Sequence, residues 1–200
     1  NTINFLNWFS RYNLIPKGMA LKLMLLSGQA IENIDLKEFN KFDLKFEKKN
    51  FFLTDEQNKA LKNLNSENNK FRVHLLQGIT GSGKTLVYFE SVKTIIDKGL
   101  QVLIMLPEIG LTGQFEEKFR EFFGFNAAIW HSGITKKNKK IIWNGISTGK
   151  IKVTIGARSS LFLPFKNLGL IIVDEEYDQS YKQDEGVIYN ARDMAISRAY

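Results

Sequence analysis

The sequence predicts an α/β domain, a mostly parallel sheet flanked by helices, with a short helical piece in front of it. Three observations carry that prediction. Short apolar runs of strand length recur from residue 72 onward. Stretches of helical periodicity lie between them, and strands joined through such crossovers pair in parallel. A glycine-rich turn, "GITGSGKT" (Gly78–Thr85), sits where a strand pattern passes into a helical one.

Bulk composition sets the outer limits. The 200 residues are enough for one sizeable α/β domain and an appendage. A hydrophobic fraction of 44%, with 16 Phe, supplies a core. Three Pro and no long low-complexity tract argue against disorder. The net charge of +7 favours a polyanionic partner, although a lysine-rich composition alone would produce it. The absence of cysteine excludes a disulfide scaffold or thiolate metal site within these residues and fits a reducing cytoplasm. No apolar run reaches membrane-spanning length. The chain begins at Asn1 and stops at "DMAISRAY" within a helical pattern, so it reads as part of a longer protein.

The elements follow in order. Thr2 to Leu26 is apolar-periodic and punctuated by Pro16 and Gly18, which predicts two short helices. Ser27 to Asn50 is polar and charged, so a linker over residues 27–52 is the expected domain boundary. Thr54 is an N-cap residue with Gln57 at the third helical position, the pattern of a capping box. "RVHLLQG" predicts a strand, then a helix runs from Lys84 to about Lys98, where Gly99 closes it. Further strands are expected at "QVLIML", "AAIWH", "KVTIG" and "LGLIIVD", with helices near Leu111–Phe123 and Lys136–Ile146. His74 falls in a core-strand pattern and His131 in "HSG" follows a strand; both read as structural.

"GITGSGKT" fits the pattern G-x-x-x-x-G-K-[ST]. Such a match arises by chance in about 1% of chains this long, so the strand before it and the helix after it carry the inference. Gly78, Gly81 and Gly83 let the backbone wrap phosphate oxygens. The helix N-terminus adds positive potential. Lys84 reaches the β and γ phosphates and Thr85 can place its hydroxyl on Mg²⁺. Gly78, Thr80, Gly81, Ser82, Gly83, Lys84 and Thr85 form the candidate nucleotide set. A P-loop needs a carboxylate site at the end of a neighbouring parallel strand. "LIIVDEE" supplies it: Asp174 for the Mg²⁺ shell and Glu175 to orient or deprotonate the attacking water. Glu176 has no assigned role. The plain alternative is a strand end turning to solvent.

With these residues in place, the chain from about Leu53 to Tyr200 resembles the superfamily 2 helicases, and among them the bacterial replication-restart helicases. The resemblance lies in "LLQGITGSGKT", "PEIGLTGQF", "HSG", "GARSSLFLPFKNLGLIIVDEEYD" and "SYKQDEGVIYNARDMA". It implies a RecA-like P-loop NTPase domain, the first helicase lobe, over 53–200. Residues 1–26 are similar to the end of that family's N-terminal DNA-binding domain. Gln57 then has two readings, capping-box partner or the residue that reads adenine. "PEIGLTGQ" and "GARS", with Arg158 and Ser159, resemble segments that grip a single-strand backbone; a turn followed by a helix is the plain reading. The tail resembles an aromatic-rich loop linking DNA binding to hydrolysis. In it Tyr181 and Tyr189 would stack on bases while Lys182 and Arg192 approach phosphates. Its plain reading is a surface loop with two half-buried tyrosines.

The sequence departs from the family at Tyr177 and Asn190, where the family has His, and in lacking room for a winged-helix domain between residues 27 and 50. The resemblance implies an ATP- and Mg²⁺-dependent 3′→5′ DNA helicase acting at stalled forks in primosome assembly and replication restart. Single-stranded and forked DNA, primosome proteins and single-strand-binding protein are the implied partners, in the bacterial cytoplasm and without a membrane. A second lobe, an arginine finger and a zinc-binding region are expected beyond Tyr200, so this piece alone is expected to hydrolyse ATP very slowly or not at all and not to unwind DNA. Another superfamily 2 translocase, or a DNA-binding docking module without turnover, are the alternatives.

Overall fold

The computed structural model describes residues 2–25, 36–42, 51–65 and 71–200. Most of the expected linker, residues 27–35 and 43–50, lies outside them.

Four strands form one sheet: β1 (Gln101–Met105), β2 (Ala128–Trp130), β3 (Val153–Gly156) and β4 (Leu168–Val173). Their order is β2-β3-β1-β4 and every pair is parallel. Parallelism follows from the connections, each of which crosses over before the next strand. Between β1 and β2 runs α5 (Gly113–Phe123), and between β2 and β3 runs α6 (Lys136–Thr148). The β3–β4 connection holds a 3-10 turn, Arg158–Phe162.

The sheet is apolar on both faces because alternate side chains serve separate cores. Val102, Ile104, Val153 and Ile155 meet Phe89, Phe119, Phe122 and Phe123 from α4 (Lys84–Asp97) and α5. Leu103 and Met105 face the other way, toward α6, α7 (Ala191–Ala199) and α1 (Thr2–Tyr12). Each fully buried Leu, Ile, Val or Phe side chain contributes about 1.5–3 kcal/mol. The two layers are therefore the main source of stability.

Polar groups buried at the sheet's lower end are matched by Gln101. Its Nε2 donates to Ile146 O at 3.0 Å and Ile151 O at 2.8 Å. Its Oε1 accepts from the backbone N–H groups of Lys166 and Asn167, both at 2.9 Å. One amide thus ties β1 to the end of α6 and to both flanking loops, and leaves no polar atom of its own unmatched.

The N-terminal helices, α1 and α2 (Lys17–Met24), pack against the lobe. Phe5, Leu6 and Phe9 join the same cluster as Phe162, Tyr189 and Met194. Of the linker region, a 3-10 turn at Leu36–Phe42 also reaches this cluster through Phe39 and Phe42. The capping box at Thr54 forms as the sequence implies and starts α3 (Asp55–Leu64).

The expected strand "RVHLLQ" is a correction. Residues 72–77 pair with no strand among the described residues, and Val73 and Leu75 are 60% and 77% exposed. Alternation of apolar residues is a pattern compatible with a strand, but a strand exists only through its partner's ladder. His74, expected in the core, is exposed with it. No helix among the described residues is long and apolar enough to cross a membrane.

Candidate nucleotide-binding site

Parallel strands all end on one side, and the chemistry-bearing residues gather there. Gly83 precedes α4 with φ of +80°, and Gly81 has φ of +81°. Both lie in the left-handed region that a side chain disfavours. A Cβ at Gly78 would meet Ser82 Oγ at 2.6 Å, a contact that a turn of the serine side chain would relieve. Lys84 opens α4 and its Nζ folds back onto the loop, donating to Gly78 O at 2.6 Å and Ile79 O at 3.1 Å. The ammonium therefore lies over the loop itself, where a phosphate oxygen can take over from the carbonyls. Thr80, Gly81 and Ser82 form the exposed crest.

Gln57 fulfils its capping role and also reaches this loop. Its Oε1 accepts from Thr54 N at 3.0 Å, and its Nε2 donates to Ser82 O at 2.8 Å. The residue thus ties α3 to the phosphate loop. Its amide lies next to the loop.

Asp174 follows the last residue of β4, and its N–H donates to Met105 O at 3.0 Å, continuing the ladder to β1. Each of its carboxylate oxygens has a donor. Tyr88 Oη donates to Oδ2 at 2.8 Å, and Glu175 N donates to Oδ1 at 3.0 Å. Glu175 itself has φ of +49°. A non-glycine residue there costs about 1–3 kcal/mol; Leu14, between α1 and α2, has the same feature. The turn swings the Glu175 side chain away from the sheet, into an exposed position. A cleft of about 240 Å³ opens beside it, lined by Pro107, Thr112, Gln114, Lys118, Asp174 and Glu175 among others. The segment "PEIGLTGQF" and the acidic strand end are therefore two walls of one cleft.

The fit to a hard cation can be judged from the donors present. Thr85 and Asp174 offer oxygen only, and Asp174 accepts from the Tyr88 hydroxyl one turn along the helix from Thr85. Among the described residues no group of three or more His, Asp or Glu side chains could hold a metal ion. A site with one carboxylate and one hydroxyl suits Mg²⁺ carried in on phosphates and retaining its waters.

The aromatic-rich tail is placed differently from its expected role. Tyr181 is 1% exposed, and its hydroxyl reaches Asp174 O at 2.7 Å and Met105 O at 3.0 Å. Tyr189 is 5% exposed and packs edge-on to Phe9 and Phe162. Stacking of these two rings on bases is thus corrected: neither ring offers a face to a base here. They support the loop from beneath. Burial, followed by the Asp174 carboxylate, pushes the Tyr88 and Tyr181 hydroxyls far above the ordinary tyrosine value. Burial pushes Tyr189 up to about 12. All three phenols are neutral at physiological pH, and those of Tyr88 and Tyr181 act as donors.

The cationic candidates are exposed or half-exposed but already engaged. Arg158 Nη1 donates to Lys182 O at 2.7 Å and Ser180 O at 3.3 Å, clamping the tail onto the sheet end. Ser159 is exposed beside it. Lys182 pairs with Asp184 at 3.0 Å. Arg192 pairs with Asp193 at 2.9 Å and with Glu176 at 3.4 Å, which gives Glu176 the partner its sequence position did not disclose. Such half-exposed pairs are worth about 0–1 kcal/mol and yield readily to a phosphate. Tyr177 is 76% exposed. Asn190 caps α7, its side chain accepting from Arg192 N at 3.0 Å. His131 shapes a turn, its Nδ1 accepting from Gly133 N at 3.1 Å.

A phosphate loop whose helix is tied to a strand-end carboxylate, on a parallel sheet covered by helices, defines a P-loop helicase lobe, and the chain belongs to the DEAD/DEAH box helicase family, whose profile matches residues 54–197. Its relatives narrow the class. It is similar to the replication restart protein PriA of Rickettsia conorii, 48% identical over 199 residues, which is 98% of this chain and 29% of that protein. The PriA of Bacillus subtilis is 42% identical over 149 residues, covering 74% of this chain and 18% of that protein. That of Helicobacter pylori strain J99 is 41% identical over 144 residues, 72% of this chain and 23% of that protein. The chain thus spans less than a third of the length of these curated relatives.

Proposed function

We propose that this chain is the ATP-binding lobe of an ATP-dependent 3′→5′ DNA helicase that acts at stalled replication forks in primosome assembly and replication restart. The observation that carries the reading is the meeting of two distant segments. Tyr88, on the helix that opens at Lys84 and Thr85, donates to Asp174 Oδ2 at 2.8 Å, which joins that helix to the acidic strand end. Similarity to replication restart proteins supports the biological setting.

In this reading Lys84 leaves the carbonyls of Gly78 and Ile79 to neutralise the β and γ phosphates. Thr85 and Asp174 would hold Mg²⁺, which when bound spreads the charge developing on the transferred phosphoryl group. Glu175, projecting into the cleft, accepts a proton from or orients the attacking water. Gln57 positions the adenine end through the same amide that now holds Ser82 O. Arg158, Ser159, Lys182 and Arg192 form a polar and cationic face for a single-strand backbone. The tail they border is anchored by Tyr181 to the backbone carbonyl of Asp174, so movement of the tail reaches the residue that carries the carboxylate. Alone, the lobe lacks the trans-acting cation that supplies about 10³–10⁵ in rate in P-loop enzymes. Slow turnover by this chain, recovery with a second lobe, a zinc-binding region elsewhere in the protein, cytoplasmic location and docking of primosome and single-strand-binding proteins all belong to the same reading.

Strand displacement by the full-length protein on forked and plain duplex DNA tests it. Lys84→Ala is expected to abolish nucleotide binding, and Glu175→Gln to keep binding while reducing hydrolysis by about 10²–10⁴-fold. Preference for plain duplex would point to a restriction-type translocase instead. Full activity in both variants would leave a docking module without turnover.

A further inference from the structure

Tyr88 belongs to no motif, yet it stands at the centre of the site. It lies four residues after Lys84 and three after Thr85, on the first turns of α4. At that spacing its side chain shares a helix face with both. The ring is 6% exposed and sits edge-on to Phe89, with centroids 5.2 Å apart. Its hydroxyl is the part that reaches the site. It donates to Asp174 Oδ2 at 2.8 Å, and Thr85 lies one turn earlier on the same face of the helix. One buried phenol therefore links the helix that carries Thr85 to a carboxylate 86 residues away in sequence.

The geometry points to Tyr88 as a positioning residue for the cation site, fixing the Asp174 carboxylate relative to the helix that carries Thr85 before nucleotide arrives. The inference rests on the reading of this lobe as a Mg²⁺–ATP site. A carboxylate at a strand end turns freely about its side-chain bonds unless it is held. Here Glu175 N holds Oδ1 and the phenol holds Oδ2, so one orientation remains. Each oxygen keeps lone-pair capacity for a water of the cation's shell. Donors that orient a ligand in this way typically affect metal affinity by about 10–100-fold when removed. The ring also packs in the core, so the positioning role must be separated from a packing role. Tyr88→Phe keeps the ring and deletes only the hydroxyl.

The test is equilibrium binding of a fluorescent ATP analogue to the full-length protein, titrated with Mg²⁺ and repeated in EDTA, with thermal unfolding measured alongside. For Tyr88→Phe the half-saturating Mg²⁺ concentration is expected to rise about 10–100-fold, while affinity in EDTA stays within about twofold. An unchanged Mg²⁺ midpoint in Tyr88→Phe, with a normal Mg²⁺ response in the wild type, overturns the positioning role alone. An equal loss of affinity with and without Mg²⁺ also overturns it, because it marks a packing effect on the loop. A wild-type protein whose nucleotide affinity does not respond to Mg²⁺ at all overturns the underlying reading of the site as well.

Discussion

At Gly156 a single hydrogen in place of a side chain decides how closely β3 can approach its surroundings. A Cβ there would meet Ser160 Cβ at 2.6 Å and Trp130 O at 2.7 Å. Trp130 is its ladder neighbour on β2, so the carbonyl cannot retreat without breaking the pairing. Gly156→Ala is expected to cost about 1–3 kcal/mol, read as a fall of about 2–4 °C in Tm per kcal/mol for a chain of this size. An unchanged Tm would show that β3 has slack the geometry does not. Residues like this separate what the sequence disclosed from what it hid. Lys84, Thr85, Asp174 and Glu175 were legible because their chemistry has fixed local spacing. Tyr88 carries no such signature; its partner lies on another element, and only its helical spacing from Lys84 hinted at it. Gln101 and the Glu176–Arg192 pair were hidden for the same reason, since each is defined by contacts made after folding.

The cap expected at Thr54 and the helix stop expected at Gly99 both form. Thr112 and Thr135 cap α5 and α6 in the same way as hydroxyl acceptors, and Gly124 and Gly149 end those helices with positive φ, punctuation that lies in the sequence but enters none of its expectations. The helix expected from Leu111 begins at Gly113, because a 3-10 turn at Glu108–Gly110 takes the preceding residues. α6 runs on to Thr148, beyond the expected Ile146, until Gly149 stops it. Residues 72–77 were misread because periodicity cannot supply a pairing partner. The tail has its own punctuation. Asp178 caps the 3-10 turn Gln179–Tyr181, its Oδ1 accepting from Ser180 N at 2.7 Å. Hydrogen bonds from the Ser180 side chain, then from its backbone, hold the Asp178 carboxyl below the usual carboxylate value. The folded pKa is depressed, so this contribution is complete above the unfolded value of about 3.9. It is lost as pH falls through the folded one. Amide exchange at Ser180 and Tyr181, corrected for intrinsic rates, is expected to lose protection over that acid range. Asp178→Asn, which keeps an acceptor but has no carboxyl to titrate, should flatten the response. The same acid loss in the Asn variant would place the titrating group elsewhere.

On the scale of the whole molecule the two ends of the described chain close on each other. Arg198, near the end of α7, donates to Leu161 O and to Leu163 O, the latter at 2.7 Å, and to Thr2 Oγ1 at 3.2 Å. Its guanidinium also lies over the rings of Phe5 and Phe165, 5.2 and 5.6 Å from their centroids. Burial lowers its pKa to about 10, so it stays charged at neutral pH while its donors serve backbone carbonyls. Next to it Phe9, fully buried, joins Phe162 and Tyr189 in one aromatic cluster. That cluster lies under the tail that carries Lys182 and Arg192, so α1 serves as a wall of the helicase lobe's own core. Phe9→Ala should therefore cost about 3–5 kcal/mol, a large part of the 5–15 kcal/mol typical of a whole domain. Calorimetry is expected to show the lobe's main transition moving down as a unit, with nucleotide no longer restoring it fully. If α1 and α2 were instead an independent unit resting on the lobe, Phe9→Ala would leave that transition in place and produce a separate early one. Arg198→Met distinguishes the two pictures further. It keeps an apolar stem but strips donors from two carbonyls, at about 1–3 kcal/mol for each left unsatisfied. It should lower the same transition only if the first and last helices belong to one cooperative body.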